Sequence, residues 1–466
     1  MHYFGYNIFM KASQLTLLII FLLFSACQEV GDNKPILSDK HEKQPIIIIN
    51  KNRHLNIAEF WIDQQKSPDT IIMNTKEIEQ FNNDTAYEKK TLTYFQDIPT
   101  EYDGAWIKMT IEVMFNGLKN RTKYFEDGQK ISNDFYSKIK EEMYLDVLYG
   151  NPKPTRYALT VNYTNQKIIP STLALLKEEK QIHFDRNQNS ALDIGTPLAI
   201  LHGTSDGLWY YGIGPTSSGW VESKNIAFGE RDEIANYLHT EEFIITTSAK
   251  NPLMIKGHYH DYTRMGVRLP YVMNIDDMTM VLIPSRNNEG KLILSNATIK
   301  TDNTHKGYLP YTPRTILTQA FKFLNAPYGW GGMYGEQDCS KFLQQVYATT
   351  GVLLPRNSTS QSNVGSSIVE LSGLTNSSKI ELLNSVATIG STLLHLDGHI
   401  VLYLGEYKGE PYIIHTVWGE SEEHFALGRT AVTSLNFNDY LTKIDKATAI
   451  EMKIEENLLI AEVQKK

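Results

Sequence analysis

The sequence predicts an α+β chain of several small domains, with its chemistry near the C-terminal end. Three observations carry this reading. Helical spacing before residue 150 gives way to short strands from Arg156 to about Phe228, and strand-like signals return from Glu242 to about Lys300. The 466 residues leave room for roughly three or four domains of about 100–150 residues each. Cys339, the only cysteine free for chemistry, follows a Gly/Trp-rich loop at the start of a helix.

Composition limits the partners. The chain is 41% hydrophobic and 21% charged, so large cores can be buried. Its net charge is −8 with no dense Lys/Arg block, which argues against nucleic acid as the main partner. The 26 tyrosines suit either a sugar- or peptide-binding groove or half-buried strands.

Leu15 to Phe24 is apolar except Thr16, too short for a bilayer span of about 20 residues. Lys11 precedes it and Ser25-Ala26-Cys27 follows, the pattern of a secretory signal. A cysteine directly after the small pair resembles a bacterial lipobox, with Phe24 where Leu is usual. Cys27 is then expected to be lipid-modified and to tether the chain to a membrane without a spanning helix. The competing reading is a plain signal peptide or membrane anchor. Met10-Lys11 begins a well-formed signal, so translation is expected to start at Met10. Residues 28–51 are polar and read as a tether.

Lys76 to Phe81 is helix-like, and Phe135, Ile139, Met143 and Val147 form one helical face over Ser132 to Tyr149. Pro152 and Pro154 stop that helix. Ala199 to His202, Leu208 to Gly212 and Gly219 to Val221 read as strands around a Gly203–Gly207 turn; five or so such strands suit a small barrel. Phe243 to Ile245, Arg268 to Pro270 and Met280 to Ile283 repeat the rhythm. Thr312-Pro313 opens a helix to about Leu324. Asp338 is a good N-cap for a helix from Cys339 to Thr350, closed by Gly351. Asn384 to Ile414 reads as strands.

At the first helical position, Cys339 would meet free N–H groups and a positive dipole end, which lower a thiol pKa. The alternative is a buried cysteine packed on Phe342 and Val346. His399 begins an alternating apolar strand, and Tyr412 to His415 returns after a loop at Glu406–Glu410. With Gly405 near Pro411, positions 399 and 415 are diagonal neighbours on one sheet face. His415 would then hold the His399 ring while His399 serves the thiol as base and acid. A single strand histidine by itself reads as a satisfied surface or core residue; two on one face with a helix-start cysteine weaken that reading. His258-x-His260 has zinc-like spacing but no further ligands in evidence, and is read as a surface loop.

Tyr-x-Trp-Gly-Gly at 328–332, Asp338-Cys339-Ser340, Leu354-Pro355-Arg356 with Ser358 and Gln361, and Gly398-His399 occur in that order. This set resembles the NlpC/p60 papain-like cysteine peptidases, over about Thr312 to Ile450. Phe184 to Leu192, Ser205 to Trp209 and Gly219-Trp220-Val221 resemble the first bacterial SH3-like domain of one multidomain subgroup. Met265 to Pro270 resembles its second, and Phe60 to Asp63 through Phe81-Asn82 its N-terminal stabilising domain. With the signal at 1–27 and the tether at 28–51, the resemblance implies a stabilising domain at 52–172, SH3-like barrels at 173–240 and 241–300, and the peptidase domain at 301–466.

The resemblance also implies hydrolysis of the γ-D-glutamyl–diamino-acid bond of peptidoglycan stem peptides, without metal or organic cofactor. Cys339 would be the nucleophile, His399 the base and acid, and His415 the orienter, with the Cys339 N–H helping to hold the oxyanion. Asp338, Ser340 and Ser358 would recognise the free amine of an N-terminal L-Ala. Tyr328 and Trp330 would wall the groove, with Asp185 or Tyr211 contributing at one end. With the lipobox, it implies a lipid-anchored periplasmic protein. A catalytically silent wall-binding lipoprotein and a thiol acyltransferase are the alternatives. Three departures stand out: Lys341 where Gly is usual, read as a solvated helix residue; Asn357 where Asp is frequent; and Thr164 to Pro170, where the usual charges are changed or lost.

Overall fold

The computed structural model describes residues 53–150, 152–419 and 427–452. Cys27, the signal and the tether lie outside them.

The N-terminal region divides its apolar faces between two cores. Helices Ala58–Asp63 and Thr75–Asn83 bury Trp61, Ile62 and Phe81 with Ile316, Phe342 and Leu402 of the C-terminal region. The second begins with a capping box, Asn74 and Glu77 each satisfying the other's backbone N–H. Asn82 is buried and binds both the Gly351 carbonyl and the Leu353 N–H at 2.9 Å, clamping the chain just past the Cys339 helix. The rest of the region packs elsewhere. Helix Gly104–Arg121 buries Ile107, Ile111, Phe115 and Leu118 with Leu159, Tyr211 and Trp220. The stretch 52–172 therefore has no single core of its own.

The helix expected over Ser132 to Tyr149 ends early. It spans Asn133–Glu142, and Tyr144 adopts φ 50° before a 3₁₀ turn at Leu145–Leu148. The Met143 carbonyl, freed at the helix end, meets the His202 ring at 2.8 Å instead of a further turn. Val147, expected on the buried face, is exposed.

Two seven-stranded antiparallel sheets follow. The first runs in the order Ile226–Gly229, Arg156–Thr160, Pro197–Gly203, Trp209–Ile213, Ser218–Glu222, Thr164–Lys167, Gln188–Leu192. Two of its strands come from before residue 172, so a boundary at 172/173 cuts through this sheet. The second is built from strands between Phe243–Thr246 and Thr304–Lys306, with a core of Leu253, Leu269, Val281, Ile283 and Ala297.

The C-terminal region sets helices against a six-stranded antiparallel sheet. Its order is Ser367–Glu370, Lys446–Ala449, Thr392–Leu396, His399–Tyr407, Glu410–Val417, Arg429–Ser434. Helices Pro313–Phe321 and Cys339–Ala348 share one core with Ile400, Leu402, Leu404 and Ile414. Helix Asn376–Val386, whose last three residues were expected in a strand, shares the other with Leu394, Val401, Tyr403 and Ile413. The 399–407 and 410–417 strands join through Lys408-Gly409, both at positive φ (54° and 80°), a two-residue turn tighter than the loop expected.

Candidate active site

Cys339 opens its helix behind the Asp338 cap, whose Oδ1 accepts the Lys341 N–H at 2.9 Å. The Ile400 and Ser340 N–H groups face the sulfur, setting it beside the start of the His399 strand. Burial and the Asp338 carboxylate nevertheless push the thiol up, to about 12. This reverses the sequence expectation of a helix-lowered thiol: loss of solvation outweighs the helix end when the sulfur is enclosed.

His399 and His415 meet as strand parity predicts. Leu402 pairs with Ile414, and a bulge between Tyr403 and Gly405 absorbs one residue. His399 Nε2 lies 2.9 Å from His415 Nδ1, and His415 Nε2 lies 3.1 Å from Thr433 Oγ1. One tautomer chain leaves His399 Nδ1 able to accept a proton. His399 Nε2–H donates to His415 Nδ1, and His415 Nε2–H donates to Thr433, whose hydroxyl oxygen accepts. Burial lowers His399 to about 4, and burial plus the neighbouring His399 holds His415 well below the ordinary histidine range. Charging either the thiol or the imidazole alone is costly. Moving a proton from one to the other leaves the pair neutral overall.

Asp338 is a hub. Its Oδ2 accepts from Arg356 Nη2 (2.7 Å) and the Gly331 N–H (3.0 Å), and its Oδ1 from Arg356 Nη1 (3.1 Å) and the Ser340 hydroxyl (3.2 Å). Arg356 Nε continues to Ser190 Oγ at 2.9 Å in the first β-domain. Ser340 Oγ also accepts from Arg356 Nη1 at 3.0 Å. Asp338 and Ser340 are thus buried and already bonded. Sequence reasoning missed Arg356 as their partner, although it stands in a quoted motif. Ser358 is half-buried at the start of a one-turn helix, Ser358–Gln361. Asn357 caps that turn through the Ser360 N–H at 2.8 Å, a task Asn performs as well as Asp.

The double glycine at 331–332 has a steric reason. Both residues have positive φ, and a Cβ there would meet Gln188 Cγ at 2.6 Å or Ala191 Cβ at 2.7 Å. The loop before Cys339 is therefore seated directly on the Gln188–Leu192 strand. Gln188 Nε2 donates to the Gly331 carbonyl at 3.1 Å, and the Tyr163 hydroxyl donates to that of Gly332.

An aromatic wall adjoins the loop. Phe184 packs on Trp330 (5.4 Å between centroids) and Trp418 (5.7 Å), and Tyr328 on Trp418 (6.1 Å). Arg186 lies 4.7 Å above the Trp330 ring. Burial, with Asp338 and Cys339 nearby, raises the Tyr328 hydroxyl far above its usual range. Tyr328 thus stands near the sulfur, and Phe184 joins it to Trp330. Sequence reasoning gave no groove role to Phe184, although it opens a quoted motif, nor to Trp418, three residues after His415.

Two residues assigned to the groove are buried and bonded within the fold. Tyr211 is fully buried in the core between the first β-domain and helix Gly104–Arg121, its hydroxyl 3.3 Å from Ser218 Oγ. Asp185 is also buried. It holds Lys167 Nζ at 2.7 Å and accepts the Leu175 and Asn187 N–H groups, so its oxygens are occupied inside the fold. The same contact accounts for the altered 164–170 loop: Lys167 neutralises Asp185. Lys341 is not solvated. Its Nζ sits 3.7 Å from Asp193 in the first β-domain, and burial lowers its pKa. His258 and His260 lie on the His258–Arg264 strand rather than in a loop, and His260 Nε2 is 3.2 Å from the Val161 carbonyl.

Residues 325–417 match the NlpC/P60 family, and residues 175–222 match the SH3 domain of SH3b1 type. Among solved structures the fold is similar to that of an NlpC/P60 endopeptidase from Photobacterium damselae subsp. piscicida. The TM-score is 0.70 at 22% identity, over 85% of this chain and 97% of that one. An NlpC/P60 family protein from Bacillus cereus superposes at TM-score 0.47 and 17% identity, over 63% of this chain and 99% of that one. No curated protein matches the chain.

Proposed function

From a chain that carries SH3-type β-domains ahead of a C-terminal NlpC/P60 domain, we propose a cysteine peptidase that cuts the γ-D-glutamyl–diamino-acid bond of peptidoglycan stem peptides. The observation that carries this reading is the enclosed Cys339 at a helix start, beside a strand whose His399 is hydrogen-bonded to His415. His399 takes the thiol proton as sulfur attacks the carbonyl, then returns it to the departing amine of the diamino acid. Water hydrolyses the acyl-enzyme with His399 again as base. The Cys339 N–H faces the developing oxyanion.

The free L-Ala amine is received at the Ser358 side of the groove, beside the Asp338–Ser340 hub, with Tyr328 and Trp330 forming the wall. Asp338 is already paired with Arg356, so it acts on the amine by orienting Ser340 more than as a bare charge. Acetylating that amine in L-Ala-γ-D-Glu-diaminopimelate is expected to lower kcat/KM at least about tenfold, the worth of one charge-assisted hydrogen bond. Equal rates for the two peptides, followed by chromatography, would remove the amine subsite.

Thr433 is a positioning residue in this scheme, since it holds the His415 tautomer. Thr433→Val is expected to lower kcat by about tenfold with KM unchanged, at a cost of one net hydrogen bond. Thr433→Ser restores the rate. If Val and Ser behave alike, the hydroxyl has no such role.

The chain is further proposed to be a lipoprotein held at a membrane on the periplasmic side by Cys27. A mature N-terminal peptide with diacylglycerol on Cys27 is expected by mass spectrometry, and an unmodified or internal N-terminus would refute it.

A further inference from the structure

A cavity of about 430 Å³ lies where four parts of the chain meet, and none of Cys339, His399, His415, Tyr328 or Trp330 lines it. Its walls come from residues 92–96, 191–197, 237–239 with 265–268, and 341–354. Unpartnered polar atoms collect on those walls. The Tyr237 hydroxyl and Gln345 Oε1 belong to residues only 5% and 4% exposed, and neither has a hydrogen-bond partner among the described residues. Asp193 Oδ1 accepts no hydrogen bond among the described residues, although Arg264 Nε is ion-paired with it at 3.9 Å. Lys341 Nζ stands 3.7 Å from Asp193 Oδ2, beyond hydrogen-bond length. Buried polar groups left unpaired are costly, so several around one void point to something that pairs them.

The chemistry of the walls selects the occupant. Lys341 and the Tyr237 hydroxyl offer donors for a carboxylate. Asp193 Oδ1 and Gln345 Oε1 offer acceptors for an ammonium. Ile194, Met265, Val267 and Leu354 supply apolar surface between them. The volume falls within the roughly 300–1,000 Å³ usual for small-molecule sites.

We propose that this four-way junction is a second ligand site, taking a small zwitterion with an apolar side chain: a free amino acid or a dipeptide. Lys341 lies in the first turn of the Cys339 helix, so occupancy also braces that helix against the first β-domain. The proposal does not rest on the peptidase reading.

The test uses full-length Cys339→Ala protein labelled with ¹³C-methyl methionine, because Met265 lines the cavity; Met265→Leu assigns its signal. D-Alanine, L-alanine and L-alanyl-L-alanine are titrated, with 1-propanol as the uncharged control. Saturable shifts of the Met265 methyl are expected with a zwitterion and not with propanol. Tyr237→Phe and Gln345→Leu each remove an atom without a partner, so folding survives and affinity falls by about tenfold. No shift with any zwitterion up to its solubility limit overturns the proposal. So does an equal shift with propanol, or undiminished affinity in both variants; either outcome means a water-filled crevice.

Discussion

Cys339→Ala is expected to abolish cleavage of wall tripeptides, with kcat falling by about 10⁵–10⁶-fold, as when a nucleophile is removed from a unit that acts together. His399→Ala should cost nearly as much, and the double variant little more than either alone. The charge states of the pair make a further demand. Burial lowers His399 to about 4 and raises Cys339 to about 12. The base works only when unprotonated, so kcat/KM is expected to fall as pH drops through about 4 and to stay flat across neutrality. Thiolate absorbance of the free enzyme is expected only at strongly alkaline pH. An acid limb at the ordinary histidine value, or a thiolate signal at neutral pH, would show that burial does not govern the pair.

Arg356→Met carries the largest expected effect on stability. Arg356 and Asp338 are each 11% exposed and doubly bonded. Removing the guanidinium leaves a buried carboxylate, a loss of about 3–5 kcal/mol. The pH dependence has a definite sign. Burial pushes the Asp338 carboxyl up, but Arg356 and the Lys341 and Gly331 N–H groups bring it to a net value below 3.8. The pair's contribution is therefore full above 3.8 and is lost as pH falls through the lower folded value. Without Arg356 the burial effect remains, so acid unfolding should move to higher pH. Asp338→Asn in the same chain should recover part of the loss, because no charge is then buried. Thermal melting of the wild type and these two variants at neutral and acid pH checks this. A single variant that melts with the wild type would contradict the hub.

Much of the site was legible because its logic is local. Asp338 caps the next residue's helix, and the period of two along a strand sets His399 and His415 on one face across a short turn. What escaped depends on partners distant in the chain. Lys341 reads as a solvated helix residue until Asp193 is brought to it, and Asp185 reads as a free acid until Lys167 neutralises it. Tyr211 sits on a strand with two possible inner faces, and only the packing of helix Gly104–Arg121 decides which one is buried. The sequence reading assigned no element to that helix, although Ile107, Ile111, Phe115 and Leu118 line its buried face. The early end of the 133–142 helix was not legible, because it depends on His202. The glycines of the 328–332 motif are explained by contact with the Gln188–Leu192 strand, which no local pattern contains.

The most direct measurement of the central claim is mass spectrometry of L-Ala-γ-D-Glu-diaminopimelate after incubation with wild-type protein and with Cys339→Ala. The account predicts L-Ala-D-Glu and free diaminopimelate from the wild type, and intact tripeptide from the variant. Cleavage at another bond, no cleavage by the wild type, or cleavage that survives in the variant would contradict it.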